Sequence, residues 1–196
     1  MDEHDLDPNP IAVLAAWLED ARRALPHWNA MTLATATPDG RPSARVVLLR
    51  GIDERGITFF TNRTSRKGGE LEANPRAAVV LHWWELGRQV RVEGPVERTS
   101  DAASDAYWRS RPRASRLAAW ASSQSQPVAG RSQLDAAYAE QERRFDGRGV
   151  PRPGFWGGYL VVPELVELWM HADNRLHDRV RYVPEGGAWR RERLAP

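Results

Sequence analysis

The residues best suited to chemistry in this chain are mostly arginines, and they fall in four clusters. The first is Arg45-Val46-Val47-Leu48-Leu49-Arg50. A strand alternates its side chains between two faces, so Arg45, Val47 and Leu49 point one way and Val46, Leu48 and Arg50 the other. Two guanidiniums then bracket an apolar strand, either as rim charges or as planar forks for an anion. The second cluster, Thr61-Asn62-Arg63-Thr64-Ser65-Arg66-Lys67, is a polar strand-to-helix turn. Cations in a first helical turn oppose the macrodipole by about 0.3–1 kcal/mol each. A phosphate reverses that sign, gaining backbone N–H donors and charge-assisted bonds of about 1.5–3 kcal/mol each. A solvated basic turn is the alternative.

Tyr107, Arg111 and Ser115 make the third cluster. Spaced four apart, they would stack hydroxyl, guanidinium and hydroxyl on one helical face, although Pro112 should break that helix in two. The trio suits one phosphate, or is a surface stripe. In the fourth, Arg175, His177 and Arg179 alternate. On an extended stretch they would share one side, concentrating two permanent charges and one titratable ring. The structural alternative is an edge strand kept apart from others by charge.

The rest of the composition narrows the classes. The 196 residues fit a single domain, 1–196, able to bury roughly 70% of its unfolded surface. There is no cysteine, which removes disulfides, thiolate metal sites and cysteine nucleophiles together. The five histidines, His4, His27, His82, His171 and His177, lack metal-ligand spacing. A net charge of +2 gives no global field for nucleic acid. Lysine occurs once, at Lys67, so almost every cation is a guanidinium. The opening MDEHDLDPNP is acidic and polar, unlike a signal peptide, and residues 1–8 are expected to be flexible. No apolar run nears the roughly 20 residues that span a bilayer, so no membrane partner and a cytoplasmic location are expected. Neither GxGxxG after a first strand nor GxxxxGK[ST] occurs.

The elements that must position these clusters follow from periodicity. Ile11 to Ala24 reads as an amphipathic helix closed by Leu25-Pro26. Met31–Thr37 and Ser43–Leu49, joined by Pro38-Asp39-Gly40, read as a hairpin, and Ile57–Thr61 as a third strand. A short helix from Ser65 stops at Asn74-Pro75. Ala77–Trp84 and Gln89–Glu97 form another antiparallel pair. Asp101–Trp120 and Ser132–Phe145 are helical, with a polar loop, Ser122–Arg131, between them. Tyr159–Val162, Leu165–Trp169, Val180–Val183 and Ala188–Arg193 are short strands. Short antiparallel strands with inserted helices imply a small closed barrel, α+β in class.

Taken in order, the blocks RVVLLR, FFTNRTSRKGGELEANPRA, ELGRQVRVEG, RSRPRASRLAAWASSQS, FWGGY, RLHDRVRY and RLAP resemble the pyridoxamine 5'-phosphate oxidase family, from about Asp7 to Pro196. The resemblance implies an FMN-binding split β-barrel, a homodimer with FMN at the subunit interface, and residues 156–196 as C-terminal strands serving dimerisation and the active site. It implies FMN contacts at Arg45, Val46, Val47, Leu48, Leu49, Phe60, Thr61, Arg66, Lys67 and Gln89, with Gln124, Ser125, Trp169 and Arg179 reaching in from the partner chain. The substrate phosphate would meet Arg50, Tyr107, Arg111 and Ser115, while Arg175 and His177 would cover the pyridine ring and act in catalysis.

The implied reaction converts pyridoxine or pyridoxamine 5'-phosphate to pyridoxal 5'-phosphate, with O2 reduced to H2O2. A related flavin oxidase of the phenazine-biosynthesis type, and a non-enzymatic binder of FMN or pyridoxal phosphate, are the alternatives. Two departures from the family pattern bear on the substrate: the N-terminal segment lacks the Arg and Tyr that help close over it, and Met170-His171 replaces the usual Gln-Gly. Among nine tryptophans, Trp169 takes a flavin-side place by resemblance, Trp17 and Trp120 are expected in a core or interface, and Trp83-Trp84 at the dimer seam.

Overall fold

Asn9 accepts the amide of Ile11 and Pro10 takes the first helical position, so α1 runs Pro10–Ala24 with Leu14, Trp17, Leu18 and Ala21 on its buried face. The computed structural model describes residues 1–196. After α1 come β1 (Ala30–Ala36), β2 (Pro42–Leu48), β3 (Gly51–Asp53), β4 (Gly56–Asn62), α2 (Arg66–Ala73), β5 (Arg76–Trp83), a 3-10 turn at Trp84–Leu86 and β6 (Arg88–Arg98). Three helices follow: α3 (Asp101–Ser110), α4 (Arg113–Ala121) and α5 (Arg131–Arg144). The chain ends with β7 (Trp156–Val161), β8 (Leu165–Met170), β9 (Asp178–Glu185) and β10 (Ala188–Arg193).

All ten strands join one antiparallel sheet. It curls from β2 through β1, β5, β6 and β7 to β4, where β2 and β4 come alongside without a shared ladder. The barrel is therefore split along one seam. β6 is long enough to change partners: Arg88–Glu93 pairs with β8, and Val96–Arg98 with β7. The switch requires Gly94, because a Cβ there would lie 1.8 Å from the Val162 carbonyl oxygen. β8, β9 and β10 extend the sheet beyond the barrel.

Period-2 patterning separates the sheet's faces. Met31, Leu33, Val79, Leu81, Val90, Val92, Val166, Leu168, Val180 and Tyr182 are all buried in the main core. A smaller core of Trp108, Leu117, Phe145, Val150 and Trp156 lies under the helices. Pro112 divides α3 from α4 as its missing N–H dictates. β3 is absent from the periodicity reading because three residues are too few to show alternation, and β7 starts three residues earlier than read. Trp83 also differs from expectation. It is buried in the main core, with its indole N–H donated to the Trp28 carbonyl at 2.7 Å, and only Trp84 is exposed.

Residues 1–8, read as flexible, lie against β9 and β10. Arg193 pairs with Glu3 and Asp178, Arg191 donates to the Leu6 carbonyl at 2.6 Å, and the Tyr182 hydroxyl donates to the Asp7 carbonyl at 2.9 Å.

Candidate active site

A cavity of about 880 Å³ opens at the seam between β2 and β4. β2 hydrogen-bonds to β1 alone, so its other edge is a row of free backbone groups. Arg45, Val46, Val47 and Leu48 line the cavity from that edge, Phe60 and Thr61 from β4, and Lys67 from α2. The helical side supplies Tyr107, Arg111 and Ser115, and the loop after α4 supplies Gln124. Residues up to 111 positions apart, Arg45 and Trp156, thus face one space.

At one end the strand-to-helix turn is held by its own side chains. Ser65 caps α2 and accepts from the Gly68 amide, while Asn62 accepts from the Thr64 amide at 2.7 Å. Lys67, only 8% exposed, donates to Gln124 Oε1 at 2.9 Å and to Thr61 Oγ1 and Ser65 Oγ at 3.3 Å. Burial, and then the charge of Arg45, lower its amine to about 8, with Glu70 opposing in part.

Glu70 anchors the neighbouring cations. One oxygen accepts from Thr35 Oγ1 at 2.5 Å, Ser43 Oγ at 2.6 Å and Arg45 Nη2 at 3.3 Å, and the other from Arg66 Nε at 2.8 Å. Burial alone would raise this carboxyl, but the bonds from Ser43, Thr35 and Arg66 outweigh it and hold the group at about 2. Arg45 also donates to the Leu33 carbonyl and Thr35 Oγ1, so it is locked in place before any ligand arrives.

At the other end, Tyr107, Phe60 and Trp156 stack with centroids 4.2 Å and 5.5 Å apart. Arg50 lies over the Tyr107 ring at 5.5 Å. Arg111 lies over Trp156 at 4.7 Å and Trp108 at 5.1 Å, and its Nη1 is buried with no hydrogen-bond partner. Burial, reinforced by Arg50 and Arg116 and partly offset by Tyr107, pulls its pKa below the ordinary guanidinium range. A buried unpaired donor costs about 1–3 kcal/mol, so the site is built to be completed by an acceptor. Gly157 and Gly158 make the wall possible: a Cβ at the first would meet the Arg63 guanidinium at 2.2 Å, and at the second the Thr99 hydroxyl at 2.4 Å and the Phe60 ring at 2.6 Å.

Not every expected residue is here. Leu49 is buried in the main core, its amide donated to the Asn29 carbonyl. Arg66 lies outside the cavity lining, tied to Glu70, and Ser125 is an exposed turn residue with φ 74°. Gln124, expected to act from a partner chain, bonds Lys67 within the same chain because the loop after α4 folds back onto β4. Trp156, Asn62 and Ser110 also line the cavity, although the sequence assigns none of them a binding role. The Asn62–Trp156 strand register that places the tryptophan carries no local signal.

A second group lies at the far end of the sheet. Gln89, Trp169 and Arg179 are cross-strand neighbours on β6, β8 and β9. Buried Glu167 holds Arg179 at 2.8 Å and Arg91 at 2.7 Å. The expected alternation of Arg175, His177 and Arg179 fails, since Arg175 sits in a turn with φ 64° and β9 begins only at Asp178. His177 instead accepts the Ala172 amide on Nδ1 at 3.0 Å and packs against Trp169 and His171, with ring centroids at 4.7 and 5.3 Å. Trp169 on β8 is four strand spacings from β2, roughly 19 Å along the sheet at about 4.8 Å each.

Comparison with known proteins decides the family. The model of the pyridoxamine 5'-phosphate oxidase family matches residues 18–143, and that of the pyridoxine 5'-phosphate oxidase C-terminal dimerisation region matches residues 156–196. The chain belongs to the pyridoxamine 5'-phosphate oxidase family. It is 59% identical to a pyridoxine/pyridoxamine 5'-phosphate oxidase of Rubrobacter xylanophilus, over 99% of this chain and 90% of that protein. It is 54% identical to pyridoxine/pyridoxamine 5'-phosphate oxidase 1 of Ralstonia nicotianae, over 100% and 93%. Among solved structures it resembles PhzG from Burkholderia lata, in complex with tetrahydrophenazine-1-carboxylic acid, with a TM-score of 0.93 and 36% identity over 98% of this chain and 95% of that one. A family-related FMN-binding protein of Nostoc punctiforme shares the split-barrel fold, with a TM-score of 0.76 and 20% identity over 97% and 100%.

Proposed function

We propose that this protein is an FMN-dependent oxidase that converts pyridoxine or pyridoxamine 5'-phosphate to pyridoxal 5'-phosphate. The observation that carries the reading is the convergence of two anion-binding groups in one cavity: Lys67 with its neutral acceptors at one end, Arg50, Tyr107, Arg111 and Ser115 at the other. The donor set fits a phosphorylated cofactor and a phosphorylated substrate side by side. Lys67 would hold the FMN phosphate, locked Arg45 and the free edge of β2 would meet the rest of the cofactor, and Arg50, Arg111, Ser115 and Tyr107 would hold the substrate phosphate. The unpaired Arg111 Nη1 supports this division, because a phosphate oxygen would satisfy it.

Gln89, Trp169, Arg175, His177 and Arg179 would complete the site from a second copy of the chain, since one protomer keeps them several strands from the cavity. The family's dimerisation region, residues 156–196, spans four of these five residues. The outer face of β2, with Val46 67% exposed beside exposed Leu48, offers an apolar surface for that contact.

When bound, FMN supplies the electron chemistry, accepting a hydride equivalent from the 4' carbon and passing the electrons to O2, which is reduced to H2O2. The protein's part is orientation, which at its most favourable lowers a barrier by about 7–11 kcal/mol. His177 accepts on Nδ1, so the neutral ring carries its proton on Nε2 and can donate there to a substrate oxygen or nitrogen. Taking up a proton would require it to give up the Ala172 bond, so the geometry favours a positioning role over that of a base. Arg175 is exposed on the same loop and would cover the ring.

Anaerobic mixing of the FMN-loaded protein with pyridoxine 5'-phosphate tests the assignment. Bleaching of the flavin absorbance is expected, and a spectral shift without bleaching would make the protein a binder. The likeness to PhzG favours a second reading, oxidation of a phenazine precursor. That substrate class has no phosphate for the Arg50–Arg111 end, and bleaching by it alone would select the second reading.

A further inference from the structure

The role proposed for Lys67, holding a phosphate, uses its charge but not its nucleophilicity. Lys67 is the chain's one lysine, and its amine faces the cavity with only neutral acceptors around it. No carboxylate pairs with it, because Glu70 is committed to Thr35, Ser43, Arg45 and Arg66. Nearby Arg45 disfavours a second positive charge, and burial adds to the effect. An amine titrating at about 8 is roughly one-tenth neutral at pH 7, against about one part in a few thousand for an ordinary lysine. The same cavity is lined by guanidiniums, Arg45 beside Lys67 and Arg50 and Arg111 at the other end, so a phosphate-bearing aldehyde is drawn into it by charge.

We infer that Lys67 is a covalent site in the flavin-free protein, where its ε-amine condenses with a phosphorylated pyridine aldehyde, so that product and cofactor exclude each other from one cavity. This rests on the functional reading above, which makes such an aldehyde the product. The neutral amine attacks the aldehyde carbon, a C=N bond replaces C=O, and the oxygen leaves as water with the amine's two protons. No oxidant or reductant is needed. A cofactor phosphate at Lys67 would keep the amine charged and covered, so the loaded enzyme escapes its own product and only unloaded chains are captured.

The test uses the full chain with and without FMN. Each form is incubated with pyridoxal 5'-phosphate, reduced with borohydride to fix any imine, and mapped by peptide mass spectrometry. A phosphopyridoxyl group on Lys67 is expected in the flavin-free protein, at least tenfold reduced by saturating FMN or by using unphosphorylated pyridoxal instead. Lys67→Arg, which keeps the charge but cannot form the imine, should show no adduct at position 67, and the aldehyde should no longer slow its uptake of FMN. Labelling confined to the N-terminal amine, or labelling of Lys67 unaffected by FMN, would overturn the inference. If FMN binds the wild-type chain, read by quenching of flavin fluorescence, and Lys67 stays unlabelled, the covalent site alone is refuted. If FMN does not bind at all, the functional reading has failed first.

Discussion

Replacing Arg111 by methionine should separate stability from substrate capture. In the folded chain the guanidinium stacks on Trp156 and Trp108 but leaves Nη1 buried and unpaired. The two ring contacts are worth about 0.5–2 kcal/mol each, and the orphan donor costs about 1–3 kcal/mol. These terms nearly cancel. Methionine fills a similar length with polarisable apolar atoms and can keep part of the ring contact. The flavin-free protein should therefore change in stability by no more than about 1 kcal/mol, measured by urea denaturation, with either sign allowed.

Binding of a phosphorylated substrate is a different matter. Arg111 would offer at least one charge-assisted bond and its neighbours cannot replace it, so Arg111→Met forfeits about 1.5–3 kcal/mol per bond. Two bonds in a forked arrangement correspond to roughly 100-fold or more in kcat/KM, since each 1.4 kcal/mol is about tenfold. The loss should fall mainly on KM, because the phosphate lies away from the carbon that reacts and is bound alike in ground and transition states. Steady-state peroxide formation with pyridoxine 5'-phosphate reads both constants. A variant as active as wild type would refute the assignment of this arginine to the substrate. A variant that loses several kcal/mol of stability would refute the cancellation on which the argument rests.

Three further outcomes follow from the same geometry. Glu70 has a folded pKa of about 2 against an ordinary 4.5, so its stabilisation is present above pH 4.5 and lost as the pH falls toward 2; Glu70→Gln should be less stable at pH 7 and show a flatter loss across that window in pH-stepped urea titrations. Gly158→Ala would push a methyl into Thr99 and the Phe60 ring, and should cost about 1–3 kcal/mol in thermal or chemical denaturation while disturbing the Phe60–Tyr107 stack. Leu48→Asp places a charge on the exposed face of β2, and sedimentation velocity should show a shift from dimer toward monomer with weaker FMN retention; an unchanged dimer would remove β2 from the interface.

How far the site is legible in the sequence depends on whether a residue's place is set locally. Ser65, Lys67 and the break at Pro112 act through their own turns, so polarity and spacing are enough to find them. Arg111 and Ser115 are separated by that proline, yet both still reach the cavity. Arg175 misleads because alternation assumes an extended chain, whereas the preceding Ala172-Asp173-Asn174 is turn-forming and puts Arg175 in the left-handed region. Trp156 and Gln124 lie beyond any local rule. One is placed by the pairing of β4 with β7 across more than ninety residues, the other by a loop folding back onto Lys67. The two glycines after Trp156 are the clue that remains, since paired glycines in a strand mark a place where other atoms approach closely. Here those atoms are the Arg63 guanidinium and the Phe60 ring, so a sequence feature that looks like weakness in a strand is what lets the aromatic wall of the cavity form.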